Sequence, residues 1–290
     1  MVKELQMKIA LVTNLREGKG LAVDARILES ILNSRGHEVT SRDFRDIGRG
    51  DLRVNLVIHL EMVVPKALWW SDKQWWIPNP DWAMPEYIKY SDAFEKILVK
   101  SRNAIKCMSE CKRVEFLGFE SEDHYRPEVK RERRFFHTWA GSIMKGTRSV
   151  ERAWGKGDCC YPATFVLDKK IPIDKYIHEQ NACLFHLQPS AVEGYGHVIH
   201  EGLGVGAIVA TTDGPPMNES IGIGLRMKCK KVARQNLADG YDVSPDTIVE
   251  ATRFLWGLDS NTIKELSERA RQVFLDEREE FRIRLRELVG

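Results

Sequence analysis

At 290 residues the chain has material for one large or two medium domains with real cores. Hydrophobic residues make up 43% and charged residues 30%, the ordinary balance of a soluble globular protein. A net charge of +2 excludes a broadly basic nucleic-acid binder and leaves room only for local basic patches. No apolar run approaches the ~20 residues needed to span a bilayer, and the N-terminus lacks a signal-peptide pattern, so a cytoplasmic protein is expected. The six cysteines (Cys107, Cys111, Cys159, Cys160, Cys183 and Cys229) form no paired C-x-x-C arrangement, which reads as buried free thiols rather than a zinc site.

Lys8–Thr13 reads as a first buried strand. A loop with Arg16, Gly18 and Gly20 follows, either a tight crossover turn or a loop aimed at a phosphate; it is neither a GxGxxG nor a P-loop. Leu21–Ser34 repeats apolar residues at helical spacing and stops at Arg35-Gly36. Glu38–Thr40 is a short second strand, and Val54–Glu61 a third with polar residues at its end. Open α/β sheets place ligand groups at that end, which makes His59 and Glu61 candidates to touch substrate, although a strand-ending histidine is often structural.

Five tryptophans crowd the segment Trp69-Trp70, Trp75-Trp76 and Trp82. Gln74–Ile77 is predicted as a strand with buried rings, and Trp82 as the ring most exposed and able to stack on a sugar or a planar group. Tyr87–Phe94 is predicted helical, Lys96–Lys100 a strand, Ser101–Cys111 a helix and Val114–Phe119 a strand. Lys130–Arg134 is a charge run at a composition shift, read as a solvated linker and taken as the domain boundary. Phe135–Ala140 restarts the pattern as a strand, followed by the loop Gly141–Thr147 and a helix through Trp154. Ala163–Leu167 is a strand and Ile173–Gln180 a helix. Leu225–Val232 is a basic strand. Ser244 as N-cap and Pro245 at N1 start a helix to Trp256. Asn261 onward is helical, with Leu266, Ala270, Phe274, Phe281 and Leu285 on its apolar side.

The densest pattern lies in Pro189-Ser190-Ala191-Val192-Glu193-Gly194-Tyr195-Gly196-His197-Val198-Ile199-His200-Glu201-Gly202-Leu203. The apolar strand Ala182–Leu187 precedes it, the helix His197–Gly204 lies inside it, and the strand Ala207–Ala210 follows. Glycines at such a turn let backbone N–H groups approach a ligand, and the helix start favours an anion. Glu193 and Glu201 frame the turn. Glu201 lies five residues past Gly196, about 7.5 Å along the axis at ~1.5 Å per residue, a separation that suits a long ligand. The string resembles the E-x7-E signature of retaining glycosyltransferases of family 4, which have the GT-B fold. The resemblance covers nearly the whole chain in order, densely over 182–219, and the short length resembles compact viral GT-B enzymes.

The resemblance implies an α/β GT-B protein with two Rossmann-like domains facing a cleft. Residues 1–130 would form the acceptor domain and 131–270 the nucleotide-sugar donor domain, with the helix over 271–290 crossing back. It implies transfer of a sugar from a nucleotide diphosphate sugar to an acceptor hydroxyl with retention, by front-face substitution and without a metal or other cofactor. A UDP-sugar is the default donor. Glu193 would hold the transferred sugar and Glu201 the ribose, with Gly194, Tyr195 and Gly196 along the donor. Lys145 matches the lysine that holds the diphosphate. Ser142 stands at the other, normally basic, position, so the diphosphate rests on Lys145 alone or on a charge from elsewhere, such as Arg148. Gly18, Gly20 and the turn at Gly214 would approach the donor by backbone. Trp82 and Arg16 are acceptor-side candidates beside His59 and Glu61. A nucleotide-sugar epimerase and a non-catalytic nucleotide-sugar-binding protein stay open as alternatives. The acceptor is a carbohydrate, a small hydroxylated molecule, or hydroxymethylated pyrimidine in DNA (in host cytoplasm if the protein is viral), with Arg42, Arg45, Arg49 and Arg53 as phosphate contacts in the last case.

Overall fold

The computed structural model describes residues 6–16, 20–48, 52–139, 142–155, 157, 159–166, 171–219 and 224–290. The chain forms two compact units. The first comprises Met1–Glu120, Asn236–Ala238 and Glu279–Gly290, and the second Ser121–Gln235 and Asp239–Arg278. These units part ahead of the charge run at 130, so the stretch after Glu120 counts with the second unit.

In the first unit the elements are β1 (Lys8–Thr13), α1 (Gly20–Ser34), β2 (Glu38–Asp43), β3 (Leu56–Leu60), β4 (Gln74–Ile77), β5 (Lys96–Val99), α2 (Arg102–Cys107) and β6 (Val114–Phe116). The strands form one parallel sheet in the order β2-β1-β3-β4-β5-β6. Its central strands are apolar runs buried on both faces, as a covered parallel sheet requires. Trp76, Phe94, Ile97 and Leu237 pack in one core cluster, and Ala10, Val12, Val57 and Trp70 in another. Where a helix is predicted over Tyr87–Phe94, the structure has a 3-10 helix at Pro85–Ala93 with proline in its first turn.

The second unit holds β7 (Glu132–Thr138), α3 (Thr147–Gly155), β8 (Ala163–Val166), α4 (Ile173–Ala182), β9 (Cys183–Gln188), α5 (His197–Gly204), β10 (Ile208–Thr212) and β11 (Leu225–Met227). A hairpin of β12 (Lys230–Gln235) and β13 (Ala238–Asp242) follows, then α6 (Pro245–Trp256) and α7 (Ser260–Val289), whose last turns belong to the first unit. Its parallel sheet runs β11-β10-β9-β7-β8. Phe135, Phe185, Ile208 and Ile248 share its main core. Ser244 Oγ accepts from Thr247 N at 3.1 Å, the cap expected there.

Two readings are corrected. The charge run is not a solvated linker throughout, because Glu132, Arg133 and Arg134 open β7. The long stems let the strand form while their heads find partners: Arg134 pairs with Glu179 at 3.1 Å, and Arg133 lies over the Trp256 ring at 5.6 Å. The single basic strand over 225–232 is broken. β11 joins the sheet with Met227 buried, whereas the lysine-rich β12 pairs only with β13 on an exposed ribbon.

Each sheet has one place where the order of connection reverses. In the first it falls between β1 and β3, in the second between β7 and β9. Segments leaving those strands diverge above the carboxyl edge, which is where open α/β sheets hold ligands.

Candidate functional site

At the reversal of the second sheet, the segment after β7 meets the segment after β9. A 3-10 turn at Ile143–Lys145 is closed by Ser142, whose Oγ accepts from Met144 N at 3.2 Å. Gly146 then takes φ 69°, and any side chain there would collide with the Pro189 carbonyl oxygen. Ala191 N donates to Met144 O at 2.6 Å, zipping the two segments together. This close approach sets Lys145 Nζ 2.5 Å from Glu193 Oε1, with both side chains nearly buried. Lysine and glutamate far apart in sequence thus become one ion pair on the sheet's carboxyl edge.

The glycine turn follows. Gly196 adopts φ 96° as the N-cap of α5 and supplies no capping side chain, so the helix starts on bare backbone, where its dipole favours an anion. Tyr195 stacks on His200 with ring centroids 4.0 Å apart. His200 Nδ1 lies 3.1 Å from Glu277 Oε2, an ion-pair distance without hydrogen-bond alignment. His197 Nδ1 and Ser121 Oγ are hydrogen-bonded at 2.8 Å.

Further along α5, Glu201 Oε2 accepts from Tyr176 Oη at 3.0 Å and from Gln180 Nε2 at 2.8 Å. Both donors come from α4, four residues apart and therefore on one helix face. Gln180 Oε1 in turn accepts from His124 Nδ1 at 2.7 Å. Burial and the adjacent Glu201 carboxylate push the Tyr176 phenol well above its ordinary range, so it remains a donor. Burial pulls His124 down, but its bond to Glu122 and the Glu201 charge outweigh that and raise it. No described residue bonds Glu201 Oε1, which leaves that oxygen to accept from a ligand hydroxyl. Tyr176, Gln180 and His124 are missing from the sequence reading; only the Tyr176/Gln180 spacing on a predicted helix hinted at them.

The other predicted residues divide. Gly194 and Tyr195 lie in the same turn as Gly196. Ser142 caps its own loop. Gly214 makes room for Tyr241, since a Cβ there would come within 2.7 Å of that ring. Arg148 is an exposed residue of α3. Gly18 lies outside the described residues; Gly20 starts α1, and Arg16 is exposed.

His59 is corrected. It is fully buried one residue short of the end of β3, and Nε2 bonds Gln74 Oε1 at 3.1 Å while Nδ1 accepts from Val64 N at 3.2 Å. Burial lowers it to about 4, so it is a neutral imidazole with both nitrogens used by the protein. Glu61, two residues on, does sit at the carboxyl edge. Of the strand tryptophans Trp75 and Trp76 are buried, as expected; Trp82 is 55% exposed, but Trp69, at 57%, is equally so. Arg45 is paired with Asp43 at 2.7 Å, and Arg49 lies outside the described residues, which thins the set expected to meet DNA phosphates.

Two parallel α/β units of this order define the GT-B fold of glycosyltransferases. Solved structures with the same architecture include a glycosyltransferase from Rickettsia africae ESF-5, 12% identical, with TM-score 0.71 over 98% of each chain. A sucrose-phosphate synthase from Thermosynechococcus elongatus is 10% identical, with TM-score 0.72, again over 98% of each chain. HepE from Anabaena, solved in complex with UDP and glucose, is 11% identical, with TM-score 0.67 over 98% of this chain and 99% of that one. At such identities the likeness establishes the fold. The sequence matches no protein-family profile and no curated protein. Among the described residues no helix is long and apolar enough to cross a membrane.

Proposed function

We propose that the protein is a retaining glycosyltransferase that moves a sugar from a nucleoside diphosphate sugar to an acceptor hydroxyl. The observation that carries the reading is the Lys145–Glu193 pair at the reversal of the second sheet, followed at once by the glycine-started, uncapped helix α5. A lysine and a helix start with no side-chain cap suit a diphosphate. The lysine ammonium has three donors, so it can serve a phosphate oxygen while still touching Glu193. Glu201 Oε1 then accepts from a ribose hydroxyl, its other oxygen being fixed by Tyr176 and Gln180. Glu193 lies at the sugar end, where its charge faces the anomeric carbon as positive charge develops.

In this mechanism the acceptor attacks from the face the leaving group departs. The bond from the anomeric carbon to the phosphate oxygen breaks, and the acceptor's proton passes to that oxygen. The protein contributes fixed donors for the growing phosphate charge, an electrostatic effect that is stronger in the transition state than in the ground state. Support for the donor class comes from the fold shared with the Anabaena protein, whose complex holds UDP and glucose.

A donor screen tests the reading by release of nucleoside diphosphate from UDP-sugars and other nucleotide sugars, with calorimetry of UDP binding. Wild type is expected to release diphosphate and give a product of unchanged anomeric configuration. Glu201→Ala is expected to weaken UDP binding about 10- to 100-fold, the worth of ~1.5–3 kcal/mol for hydrogen bonds to a charged group. Rearranged sugar without released diphosphate would replace the transferase with an epimerase. Tight UDP binding without turnover of any donor would leave a binding protein.

A further inference from the structure

The basic run that ends in the β12–β13 hairpin has no part in the donor chemistry. Between Glu219 and Asp239 the sequence holds no carboxylate, yet it carries Arg226, Lys228, Lys230, Lys231 and Arg234. The whole chain has 44 basic and 42 acidic side chains, so outside this stretch acids outnumber bases. The fold spreads these bases along an open edge. Arg226 and Lys228 are exposed, and β12 is exposed from Lys230 through Arg234. The partner strand β13 offers two acids, Asp239 and Asp242. Lys231 Nζ lies 2.7 Å from Asp239 Oδ2, and Arg234 Nε 3.7 Å from Oδ1 of the same carboxylate. Lys228 and Lys230 pair with no described residue. An edge strand gains from a lysine, which discourages pairing with other chains. A run of bases unrelieved by any acid exceeds that need.

The shape of the ribbon narrows the partner. Side chains alternate along a strand, so Lys230 and Arg234 leave one face and Lys231 the other. At ~3.3 Å per residue, 228–234 extends about 20 Å. A flat membrane surface meets one face of such a ribbon, whereas a polyanion lying along its edge meets both. A duplex carries one negative charge per ~1.7 Å of its axis, so a ribbon of this length passes many phosphates. A protein partner fits poorly. Protein interfaces are centred on apolar and aromatic side chains and are depleted in lysine, and Val232, 45% exposed, is the one large apolar side chain laid open on this ribbon among the described residues. Interfaces with nucleic acid are polar and strongly positive.

We infer that the edge 226–234 docks the phosphate backbone of a nucleic-acid duplex. The edge is held in place through its inner strand: Tyr241 N donates to Ala191 O at 2.8 Å, and the Tyr241 ring packs where Gly214 has no side chain. β13 is thus fastened to the segment that leads into Glu193, and a duplex on β12 lies one strand outward from the donor turn. This surface is not the arginine set at Arg42, Arg45, Arg49 and Arg53, and it belongs to the other unit. It stands without the donor reading, because none of its bases enters the donor chemistry. Its contacts are to phosphates, so binding is indifferent to base sequence.

The test is fluorescence anisotropy of the full chain with a labelled DNA duplex of about 20 base pairs, titrated over a range of salt, with UDP calorimetry alongside. With four bases engaged, log affinity is expected to fall against log salt with a slope of about −3.6, a loss of about 150-fold between ~50 and ~200 mM. The surface variant Lys228→Gln with Lys230→Gln is expected to flatten that slope by about 1.8 and to weaken duplexes of any sequence alike. Arg42→Ala with Arg53→Ala is expected to leave the slope unchanged. No binding at ~50 mM salt, or a slope that responds to the Arg42 and Arg53 changes and not to the lysine changes, overturns the docking edge. Equal binding to phosphatidylserine vesicles, lost in the same lysine variant, overturns the nucleic-acid assignment in favour of a membrane surface. Duplex binding without UDP binding sinks the donor reading and leaves the docking edge standing.

Discussion

The reversals of the two sheets handle a buried carboxylate in opposite ways. In the second unit Glu193 is neutralised by a partner, Lys145, at 2.5 Å. In the first, the nearby lysine is already committed to Asp24, and Glu61 is held up by burial toward protonation near neutral pH. One site therefore presents an ion pair, and the other a carboxyl whose charge changes near neutral pH. A lysine held at the mouth of a helix start suits an anion.

The contrast breaks most visibly at the lysines. Lys100→Met strands Asp24 where both side chains are almost wholly buried, and is expected to cost about 3–5 kcal/mol in urea unfolding. The double variant Asp24→Asn with Lys100→Met should recover much of that loss, and no recovery would mean the pair is not what couples them. Lys145→Ala is expected to act on turnover instead, lowering diphosphate release about 10²- to 10³-fold, as loss of one oxyanion-stabilising donor does. Unchanged release would remove the second reversal as an anion site.

Glu61→Gln sharpens the comparison through pH. The folded carboxyl titrates at about 7 against 4.5 for the unfolded chain, so the folded state holds its proton longer. Stability from this group is full below pH 4.5 and declines as pH rises through 7. Glu61→Gln should therefore match wild type near pH 4.5 and exceed it by about 3 kcal/mol at pH 8, read from urea midpoints. The opposite limb belongs to His59 and His137, both lowered to about 4 by burial. Their contribution is full above pH 6.5 and lost as pH falls toward 4. A wild-type stability profile flat from pH 4.5 to 8 would contradict both limbs.

The second reversal was legible in sequence because its parts are contiguous. A strand, a glycine turn and a helix must follow one another within a few residues, so Glu193, Gly196 and Glu201 appear as a string, and α5 falls at the predicted His197–Gly204. The helix cap at Ser244 and the strand Gln74–Ile77 were legible for the same local reason. The first reversal was legible only in part, through Glu61 at the end of its strand and the exposed Trp82. Its pairs, Asp24 with Lys100 and Glu61 with Asn79, join four separate segments and form only once the sheet has assembled. His59 misled because the rule about strand ends is a rule about the sheet edge, and that edge begins after Leu60. The charge run misled because arginine stems lie along a strand as readily as they extend into water. The Tyr176–Gln180 support of Glu201 joins two helices, which no single window of sequence displays.

The make-up of the first unit has a consequence for biosynthesis. Phe281 and Leu285 are fully buried in it, Phe281 lies 5.0 Å from Phe119, and Arg282 grips Glu120 with two hydrogen bonds. Leu237, from the hairpin tip, fills part of the same unit. Residues 1–120 thus lack pieces of their own interior as they leave the ribosome, and must wait through synthesis of the whole second sheet before their unit can close. Folding order runs against the order of translation, and a nascent chain stalled before residue 279 would expose the apolar bed meant for its last helix to chaperones and proteases.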